Sequence, residues 1–407
     1  MKKCLLEYAL QASSKSCSNM NRSPQLKMTN SSIQITVHRG LPGFNELESA
    51  WNDLAKVSGT HFLHYPAWYG AELQHSGGDN VYFLSLTDTK GALFAVLPFQ
   101  WTTIKIKFFK LPIVQLYYPN EMGVNDVLTN TSLFPYRNDI AKALRKTLPF
   151  FLFVRWQCLM ENGCAAALDV NKSFRNTHYS KYLHFSKGYE DFIERYSNKF
   201  RKDLLKKMRK IEEKGNLELR ILQEGKDLDA AFNQFLQVEN SGWKGQDGTS
   251  ILKQPWKLNY YMYLKQHFSS LGLCRINLLT LNDEAIAAQF GIAISNKLYL
   301  LKIGFREDFS EFSPGFLLLY KLIERYCQEK SLHTISFVTG VDWINRWHPD
   351  AVSVGIFYSS NGSILSTLTV RALRAVLKIR EAIKAKSSPQ SSEHNAFILK
   401  RDVCTGQ

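Results

Sequence analysis

The chain has 407 residues, of which 45% are hydrophobic and 13% aromatic, and this composition is that of a globular protein with enough apolar surface for packed cores. Seven cysteines without a CxxC pair argue against a disulfide framework and a zinc site, and indicate a reducing compartment. The formal net charge of +15 favours a polyanionic partner, such as nucleic acid, an anionic membrane surface or a phosphate-bearing cofactor.

The beginning of the chain, MKKCLLEYALQA, imitates a secretory signal. Glu7 interrupts its short apolar stretch, and no small-residue cleavage site follows, so we expect no secretion. The longest apolar runs, GALFAVLPF and LPFFLFV, are much shorter than a membrane span. We therefore predict a cytoplasmic protein.

The first half combines strands and helices after a tail, residues 1–31, whose Ser, Asn and Lys content predicts disorder. Period-two alternation predicts strands, and apolar residues that recur on one face predict helices. The predicted elements are, in order, strand IQITVHR, helix FNELESAWNDLAKV, strands VYFLSLTD, ALFAVLPFQW, TIKIKFF and LPIVQLYY, a helix near DIAKALRKTL and strand FFLFVRW.

The second half repeats this order. A strand, a helix and a parallel strand form a right-handed crossover attached to an antiparallel meander. The predicted elements are helix NKFRKDLLKKMRKIEEKG, strand LELRILQ, helix DLDAAFNQFLQVEN, strands LCRINLLTL, AIAAQFGIAI and LYLLKIGF, a helix that starts at Ser-Pro-Gly, and strand HTISFVTG. We predict an α+β fold of two tandem modules, 32–184 and 185–365, each with a mixed, mostly antiparallel sheet flanked by helices, and a cationic amphipathic helix and disordered tail at 366–407.

Ser313, Pro314 and Gly315 stand at the start of the last helix of the second module, and they allow two interpretations. In one, Ser313 is an ordinary N-cap and Pro314 occupies the first helical position. In the other, a helix that begins just beyond a central strand offers its free amides and its positive dipole end to a phosphate, and Gly315 leaves room for the approach. The sequence contains no GxxxxGK[ST] and no GxGxxG as a competing phosphate site.

Three segments carry a family resemblance: VENSGWKGQDGTSI, AIAAQFGIAISNKLYLLKIGFREDFSEFSPGFLLL and FVTGVDWINRW. Together they resemble the CelD-like acyltransferases of the GNAT superfamily, which are related to the FemAB-type aminoacyltransferases. The resemblance covers about residues 45–350 and is strongest after residue 185. It implies two GNAT modules and the transfer of an acyl group from an acyl-CoA to an amine or hydroxyl, with acetyl-CoA as the expected donor.

The resemblance also suggests which residues bind the donor. The 313–316 segment would hold the diphosphate through backbone amides, and the end of the strand at 302–305 would supply an N–H to the thioester carbonyl. The predicted donor-binding residues are Lys302, Gly304, Phe305, Ser313, Pro314, Gly315 and Phe316.

Acyl transfer also needs a base and a proton for the leaving group. Glu239 and Asp342 are the carboxylates nearest the predicted cleft and are the candidate general bases. The alternative for each is a solvent-exposed charge without a catalytic role. Tyr299 is the candidate proton donor to the departing thiolate, and its alternative is a packing role in the strand.

The Gly-rich loop 241–250 carries Trp243 and Lys244, and we predict that it forms a lid over the substrate. Gln289 and Trp343 complete the predicted substrate contacts. The plain alternative for the loop is a flexible connection.

The chain departs from the family where relatives show Gly-x-x-x-Tyr-Lys and then an aromatic residue. It has Gly340, Ile344, Asn345 and Trp347 here, so the acceptor, and activity itself, stay open. The first module has no Ser-Pro-Gly, and we expect it to shape the acceptor groove without binding a donor.

Two other functions stay open. The basic segment 197–215 suits a FemAB-type enzyme that uses aminoacyl-tRNA, although it also reads as a surface helix. A non-catalytic, membrane-associated GNAT-like protein is the other alternative, because the cationic amphipathic segment after residue 365 suits an anionic membrane as well as it suits docking on its own domain. The acceptor, on family analogy, is a cell-envelope or polysaccharide precursor, and no metal is predicted.

Overall fold

The computed structural model describes residues 27–30, 33–106, 109–119, 123–170 and 172–387. Most of the predicted N-terminal tail and the chain after residue 387 lie outside these residues. Lys27–Asn30 forms a strand, β1, that pairs antiparallel with the next strand, so regular structure begins before residue 32.

The first half forms the predicted strand–helix–meander–helix–strand order, with three differences. TIKI continues the strand that begins at Leu93, and neither the helix at 67–76 nor the strand at 175–184 was predicted. Leu47, Trp51 and Leu54 are buried on one face of the first helix, as their spacing predicts. The elements are β2 (Ile33–Arg39), α1 (Gly40–Ser58), α2 (Ala67–Ser76), β3 (Val81–Asp88), β4 (Leu93–Ile106), β5 (Phe109–Leu116), β6 (Leu128–Thr129), α3 (Arg137–Thr147), β7 (Val154–Met160) and β8 (Arg175–His184).

The second half repeats the order. Sequence reasoning missed the helix at 255–270 and the strand at 350–359. The elements are α4 (Tyr189–Glu194), α5 (Asn198–Glu212), β9 (Leu217–Leu222), α6 (Gly225–Ser241), α7 (Trp243–Gln246), α8 (Pro255–Ser270), β10 (Cys274–Leu281), β11 (Glu284–Ile294), β12 (Lys297–Phe305), α9 (Pro314–Glu329), β13 (Thr334–Ser336), β14 (Asp350–Ser359) and α10 (Ile364–Ser387).

The described strands form one mixed, mostly antiparallel sheet with helices against it, which confirms the predicted fold class. Its order is β1-β2-β3-β4-β5-β7-β14-β8-β13-β12-β11-β10-β9, and β6 pairs with β4. The pairs β5–β7 and β12–β13 are parallel.

The two halves exchange their last strands. β8, from the first half, pairs with β13 of the second, while β14, from the second half, pairs with β7 of the first. β8 and β14 also pair with each other. Each module's sheet is therefore completed by a strand from the other half of the chain, and this exchange holds the two modules together.

The largest core lies between the modules. It combines buried side chains of α1 and α2, such as Trp51 and Trp68, with Phe235 and Tyr261 of the second module. Two further cores pack α3 and α9 against the opposite sides of their own modules. In the part of the chain that the structure describes, no helix is both long enough and apolar enough to cross a bilayer.

Candidate active site

An opening in the second module lies where β12 and β13 diverge. The two strands pair only where Lys297–Tyr299 of β12 meets Thr334–Ser336 of β13, whereas β12 continues to Phe305. A cavity of about 480 Å³ occupies the divergence. Its lining residues are Glu239, Gly242, Lys244, Ala288, Gln289, Ile303, Gly304, Phe305, Glu307, Ser310, Ser313, Pro314, Gly315, Phe316, Leu318, Val341 and Trp343.

The exposed edge of β12 offers backbone groups to this cavity. The Arg306 amide donates to the Ile286 carbonyl across the β11–β12 ladder at 2.9 Å. Because an antiparallel ladder alternates, the N–H and C=O groups of Ile303 and Phe305 point away from β11, toward the opening. The bond from Lys244 Nζ to the Ile303 carbonyl, 3.0 Å, agrees with that orientation. Ile303 lies within the predicted 302–305 segment, but it was not named among the donor-binding residues, since a backbone donor leaves no mark in the residue type.

Gly304 brings β12 against α6. A Cβ on Gly304 would lie 2.8 Å from the Glu239 Cα, closer than real Cβ atoms come to a neighbour. Only glycine at this position therefore lets the strand approach the helix this closely, and the approach brings Glu239 to the end of β12.

Glu239 is a buried carboxylate, 3% exposed, at the wall of the cavity. Its Oε2 accepts the Ile251 amide at 2.9 Å, and its Oε1 lies 3.4 Å from Lys244 Nζ. The loop after α6 thus fixes the carboxylate from two sides. Burial without charge neutralisation would be costly, and the Lys244 ammonium supplies the opposite charge.

The N-terminus of α9 faces the same cavity. Ser313 adopts the left-handed conformation with φ 54°, Pro314 takes the first helical position, and the Ser313 side chain does not cap the helix. The Ser313 carbonyl accepts from the Phe316 and Leu317 amides, whereas Pro314 has no N–H. The first turn therefore leaves the Gly315 amide without a capping side chain, and a Cβ on Gly315 would meet nothing nearer than Phe305, at 4.0 Å.

Two cations lie beside this helix end. Lys207, from α5, donates to the Ser313 hydroxyl at 2.8 Å, and the Arg346 guanidinium lies 5.3 Å from the centre of the Phe316 ring. Both also approach Asp203, at 3.8 and 3.5 Å. The basic helix predicted at 197–215 therefore contributes positive charge to the same end of α9, where the helix dipole also favours an anion.

The loop 340–345 closes one side of the cavity through Val341 and Trp343. Lys181, from β8, holds this loop: its amine donates to the carbonyls of Gly340 and Val341 and to the Asn345 side chain, at 3.3, 3.2 and 2.7 Å. A lysine from the exchanged strand β8 therefore holds the loop that forms one wall of the cavity.

The structure brings most of the predicted residues together at the cavity, but not all. Tyr299 is buried between the modules, where its hydroxyl donates to the Thr60 carbonyl at 2.9 Å, and burial raises its pKa. Asp342 is 73% exposed and lies 3.9 Å from Lys181 Nζ. Lys302 stands over the Tyr261 ring at 5.7 Å. None of the three lines the cavity, so their positions argue against the roles predicted for them.

Trp243 and Gln289 complete the predicted substrate residues. Trp243 begins α7, and its side chain lies outside the described residues. Gln289 is buried, lines the cavity and accepts from the Asn277 amide at 3.2 Å.

The equivalent opening of the first module is filled by its own chain. β5 and β7 pair through only two residues each. Beyond them, residues 123–127 run beside β7: Asn125 forms an isolated parallel β-bridge with Leu159, and its backbone amide donates to the Cys158 carbonyl. This inserted segment occupies the place that stays open in the second module.

Three potential metal ligands, His64, Asp126 and Cys164, meet beside this segment, with their ligand atoms all within 4.8 Å of one another. No sequence pattern indicates the cluster, since the three residues are far apart in the chain. Thr60 donates its amide to His64 Nδ1 at 3.2 Å, so the ring proton is on Nε2, 3.3 Å from Asp126. Burial and the Asp126 charge raise the pKa of the Cys164 thiol to about 11. The described hydrogen bonds therefore link His64 to Thr60 and to Asp126 within the cluster.

Comparison with known proteins agrees with this geometry. Residues 198–347 match the family model described as an acetyltransferase (GNAT) domain, a range that begins with α5 and includes every lining residue of the cavity. No curated protein gave a match. Residues 198–347 of the second module are therefore similar to GNAT acetyltransferase domains, and this similarity supports an enzyme of the acyltransferase class.

Several solved structures align with this chain at low sequence identity. FemX has a TM-score of 0.50 and 11% identity, covering 76% of this chain and 95% of its own. L-PGS from Bacillus licheniformis has a TM-score of 0.48 and 13% identity, covering 83% and 98%. The C-terminal domain of a putative lysylphosphatidylglycerol synthetase from Agrobacterium fabrum has a TM-score of 0.48 and 10% identity, covering 81% and 96%. At 11% identity, the similarity to FemX shows a shared fold.

Proposed function

We propose that the second module transfers an acyl group, acetyl in the first instance, from an acyl-CoA donor to an amine or hydroxyl acceptor. The observation that carries the proposal is the convergence of three features on one cavity: the open N-terminus of α9, the unpaired edge of β12 and the buried carboxylate of Glu239.

The phosphate groups of the donor suit the N-terminus of α9. The Gly315 amide, the unobstructed Gly315 α-carbon and the nearby Lys207 amine together provide a hydrogen-bond donor, space and positive charge for a diphosphate. The apolar walls at Phe305, Phe316 and Trp343 suit the uncharged arm between the phosphates and the thioester.

In the proposed reaction, the acyl carbonyl lies against the edge of β12, and the backbone amides of Ile303 and Phe305 point into the cavity toward it. An amide donor there stabilises the negative charge that develops on the carbonyl oxygen during attack. Glu239 takes the proton of the attacking amine or hydroxyl as the new C–N or C–O bond forms, and the C–S bond then breaks. A thiolate with an ordinary pKa of about 8.5 leaves without a dedicated acid, so the mechanism does not need Tyr299.

The proposed class of acceptor rests on analogy with the family that the sequence resembles. The resemblance to CelD-like enzymes favours a cell-envelope or polysaccharide precursor, and the exposed cationic side of α10 supports a place beside an anionic membrane. Trp343, Lys244 and Gln289 are the proposed acceptor contacts, together with Trp243.

A second candidate is aminoacyl transfer from aminoacyl-tRNA, the FemAB-type reaction. It is supported by the exposed cations of α5 next to the cavity, namely Lys202, Lys206, Arg209 and Lys210. The similarity of fold to FemX leaves this alternative open. The non-catalytic alternative would require a cavity that binds neither donor.

Calorimetric titration of acetyl-CoA and CoA into the full chain, with filter binding of aminoacyl-tRNA in parallel, separates these functions. Saturable binding of both CoA compounds at a one-to-one ratio supports the proposal. If the folded protein binds aminoacyl-tRNA in a salt-dependent manner but binds neither CoA compound, the result would favour the aminoacyl-tRNA reaction over the acyl-CoA reaction. Failure to bind any of these would favour the non-catalytic protein.

A further inference from the structure

The helix α10 docks on the protein through one face only. Val370 packs with Ile113 and Phe153 in a small core, and Leu373 joins it at the margin. Arg374 donates to the Tyr358 carbonyl, and Glu381 pairs with Arg175 of β8. These contacts fix which side of the helix faces the domain.

The opposite face carries an exposed apolar stripe. Its large side chains recur at intervals of three, eight, three and four residues, which places them along one side of a helix with 3.6 residues per turn. The exposed Ala372 fills the eight-residue interval. The stripe consists of Leu365, Leu368, Val376, Ile379 and Ile383, which are between 48% and 61% exposed.

Cations flank this stripe on both sides. At 100° per residue, Arg371 and Lys378 follow one border of the stripe, and Arg380 lies on the other. All three are exposed. The single acid in this helix, Glu381, points toward the domain, where Arg175 neutralises it. The surface that α10 presents outward is therefore apolar along its centre and positive along its edges.

Exposed aromatic residues lie in the segments next to α10. Phe109 is 71% exposed at the start of β5, and Phe150 is 65% exposed just before β7. Ile104 and Leu152, from β4 and from the segment before β7, pack against the small core that holds Val370. The segments that pack against α10 therefore also carry exposed aromatic side chains.

We propose that this face of α10 lies on the surface of a bilayer that contains anionic lipids. Apolar side chains on one side and flanking Lys and Arg are what an interfacial helix needs, because the first enter the acyl region and the second contact the headgroup phosphates. Charge argues against a second copy as the occupant, since pairing two such faces would bring their cationic borders together. This inference does not depend on the donor bound by the second module.

Cosedimentation of the full chain with vesicles tests the proposal. The probes are vesicles of phosphatidylcholine alone and vesicles in which phosphatidylglycerol is a substantial minority component. The stripe variant is Leu368→Glu with Ile379→Glu. The matched control is Val57→Glu, which places the same charge at an 87% exposed apolar position on α1. The border variant, Arg371→Gln with Lys378→Gln, removes one cationic border.

The parent and the Val57→Glu variant should bind anionic vesicles at least about tenfold more strongly than neutral ones, since each basic residue near an anionic surface adds to the attraction. The stripe variant should lose at least about tenfold in binding, because two apolar side chains no longer enter the acyl region. The border variant should lose mainly the preference for anionic lipid. Equal binding by the parent and the stripe variant would overturn the proposal.

Two other results would identify a different occupant and would likewise overturn the proposal. A salt-stable dimer that the stripe variant disperses would identify a second copy of the chain. Binding to vesicles that arises only after removal of residues 388–407 would show that the chain's own end covers the stripe.

Discussion

Gly304 of β12 and Glu239 of α6 are in direct backbone contact, so that a Cβ on the glycine would lie 2.8 Å from the Cα of the glutamate. This contact places the only buried carboxylate among the lining residues of the cavity at the end of the strand whose edge is open. The geometry of the candidate site therefore depends on a residue that has no side chain.

Gly304→Ala should lower both the stability of the protein and its affinity for the donor. The added methyl meets backbone atoms that cannot rotate away, so we expect a loss of about 1–3 kcal/mol in the free energy of unfolding and weaker donor binding. Urea unfolding and calorimetry measure the two effects. Gly315→Ala is the matched control, because its Cβ has open space around it, and it should leave stability nearly unchanged. Equal stability of both variants would contradict the close approach.

Glu239→Gln should separate catalysis from donor binding. The amide oxygen of glutamine still accepts the Ile251 N–H, but the side chain no longer takes up a proton. We expect a fall in kcat of about 10²–10⁴-fold with donor affinity within a few-fold of the parent. Thiol release in the presence of an accepted amine or hydroxyl measures the rate. Asp342→Asn serves as the control and should be near neutral. A larger loss in Asp342→Asn than in Glu239→Gln would move the base to Asp342.

The fold class and many of the helices and strands could be predicted from the sequence, but the exchange of the strands β8 and β14 between the two halves could not. The alternation in IQITVHR or LELRILQ, and the apolar face of Leu47, Trp51 and Leu54, are local signals. Whether β8 or β14 pairs with β7 depends on competition between distant strands of similar composition, which no local pattern encodes.

Part of the candidate site follows from residue type, and part depends on strand register. Ser-Pro-Gly predicted the start of α9, whereas the close approach of Gly304 to Glu239 was not predicted. Tyr299 lies between the modules and not at the cavity, because the sequence of β12 does not reveal which of its faces meets the first module. A register shift between Phe290 and Gly291, opposite Lys302 and Leu300, further changes which side chains face the cavity.

Lys181→Met should loosen the loop that carries Trp343. The variant removes an ammonium that bonds two carbonyls and the Asn345 side chain, and hydrogen bonds of a charged group contribute about 1.5–3 kcal/mol. We therefore expect hydrogen exchange of residues 340–345 to accelerate at least about tenfold and donor affinity to fall. The exposed Lys187 provides the control variant, Lys187→Met. Unchanged exchange in the Lys181 variant would show that the loop is held by other contacts.

Stability should fall as the pH drops below about 6.5, the pKa of an unperturbed histidine. Burial, with smaller effects of His64 and Lys297, lowers the pKa of His61 well below that value, so the unfolded chain binds a proton that the folded chain does not. The stability that the buried, neutral His61 contributes is fully present above the histidine pKa of the unfolded chain. Below that pKa, the free energy of unfolding declines by up to about 1.4 kcal/mol per pH unit. Burial lowers the pKa of His38 in the same direction.

His61→Asn tests this contribution, because asparagine can still accept the Leu63 amide that His61 Nδ1 accepts in the parent. Urea unfolding between about pH 7.5 and pH 5, a range that spans the unperturbed histidine pKa, should show a shallower loss of stability for this variant than for the parent. His75→Asn, at an exposed position, should keep the parent's slope. If the stability of His61→Asn depends on pH as steeply as that of the parent, other groups cause the pH dependence.

The most direct test of the donor site is calorimetric titration of acetyl-CoA into Gly315→Glu, with Gly315→Ala and the parent measured in the same way. The glutamate places a negative charge at the open N-terminus of α9, the proposed position of the donor's phosphates, while the alanine adds only a methyl in open space. We expect binding in the parent and in Gly315→Ala, and a loss of about a hundredfold or more in Gly315→Glu with an unchanged unfolding midpoint, because like charges juxtaposed at a binding site cost several kcal/mol. Parent-like binding in a folded Gly315→Glu would contradict the proposed donor site.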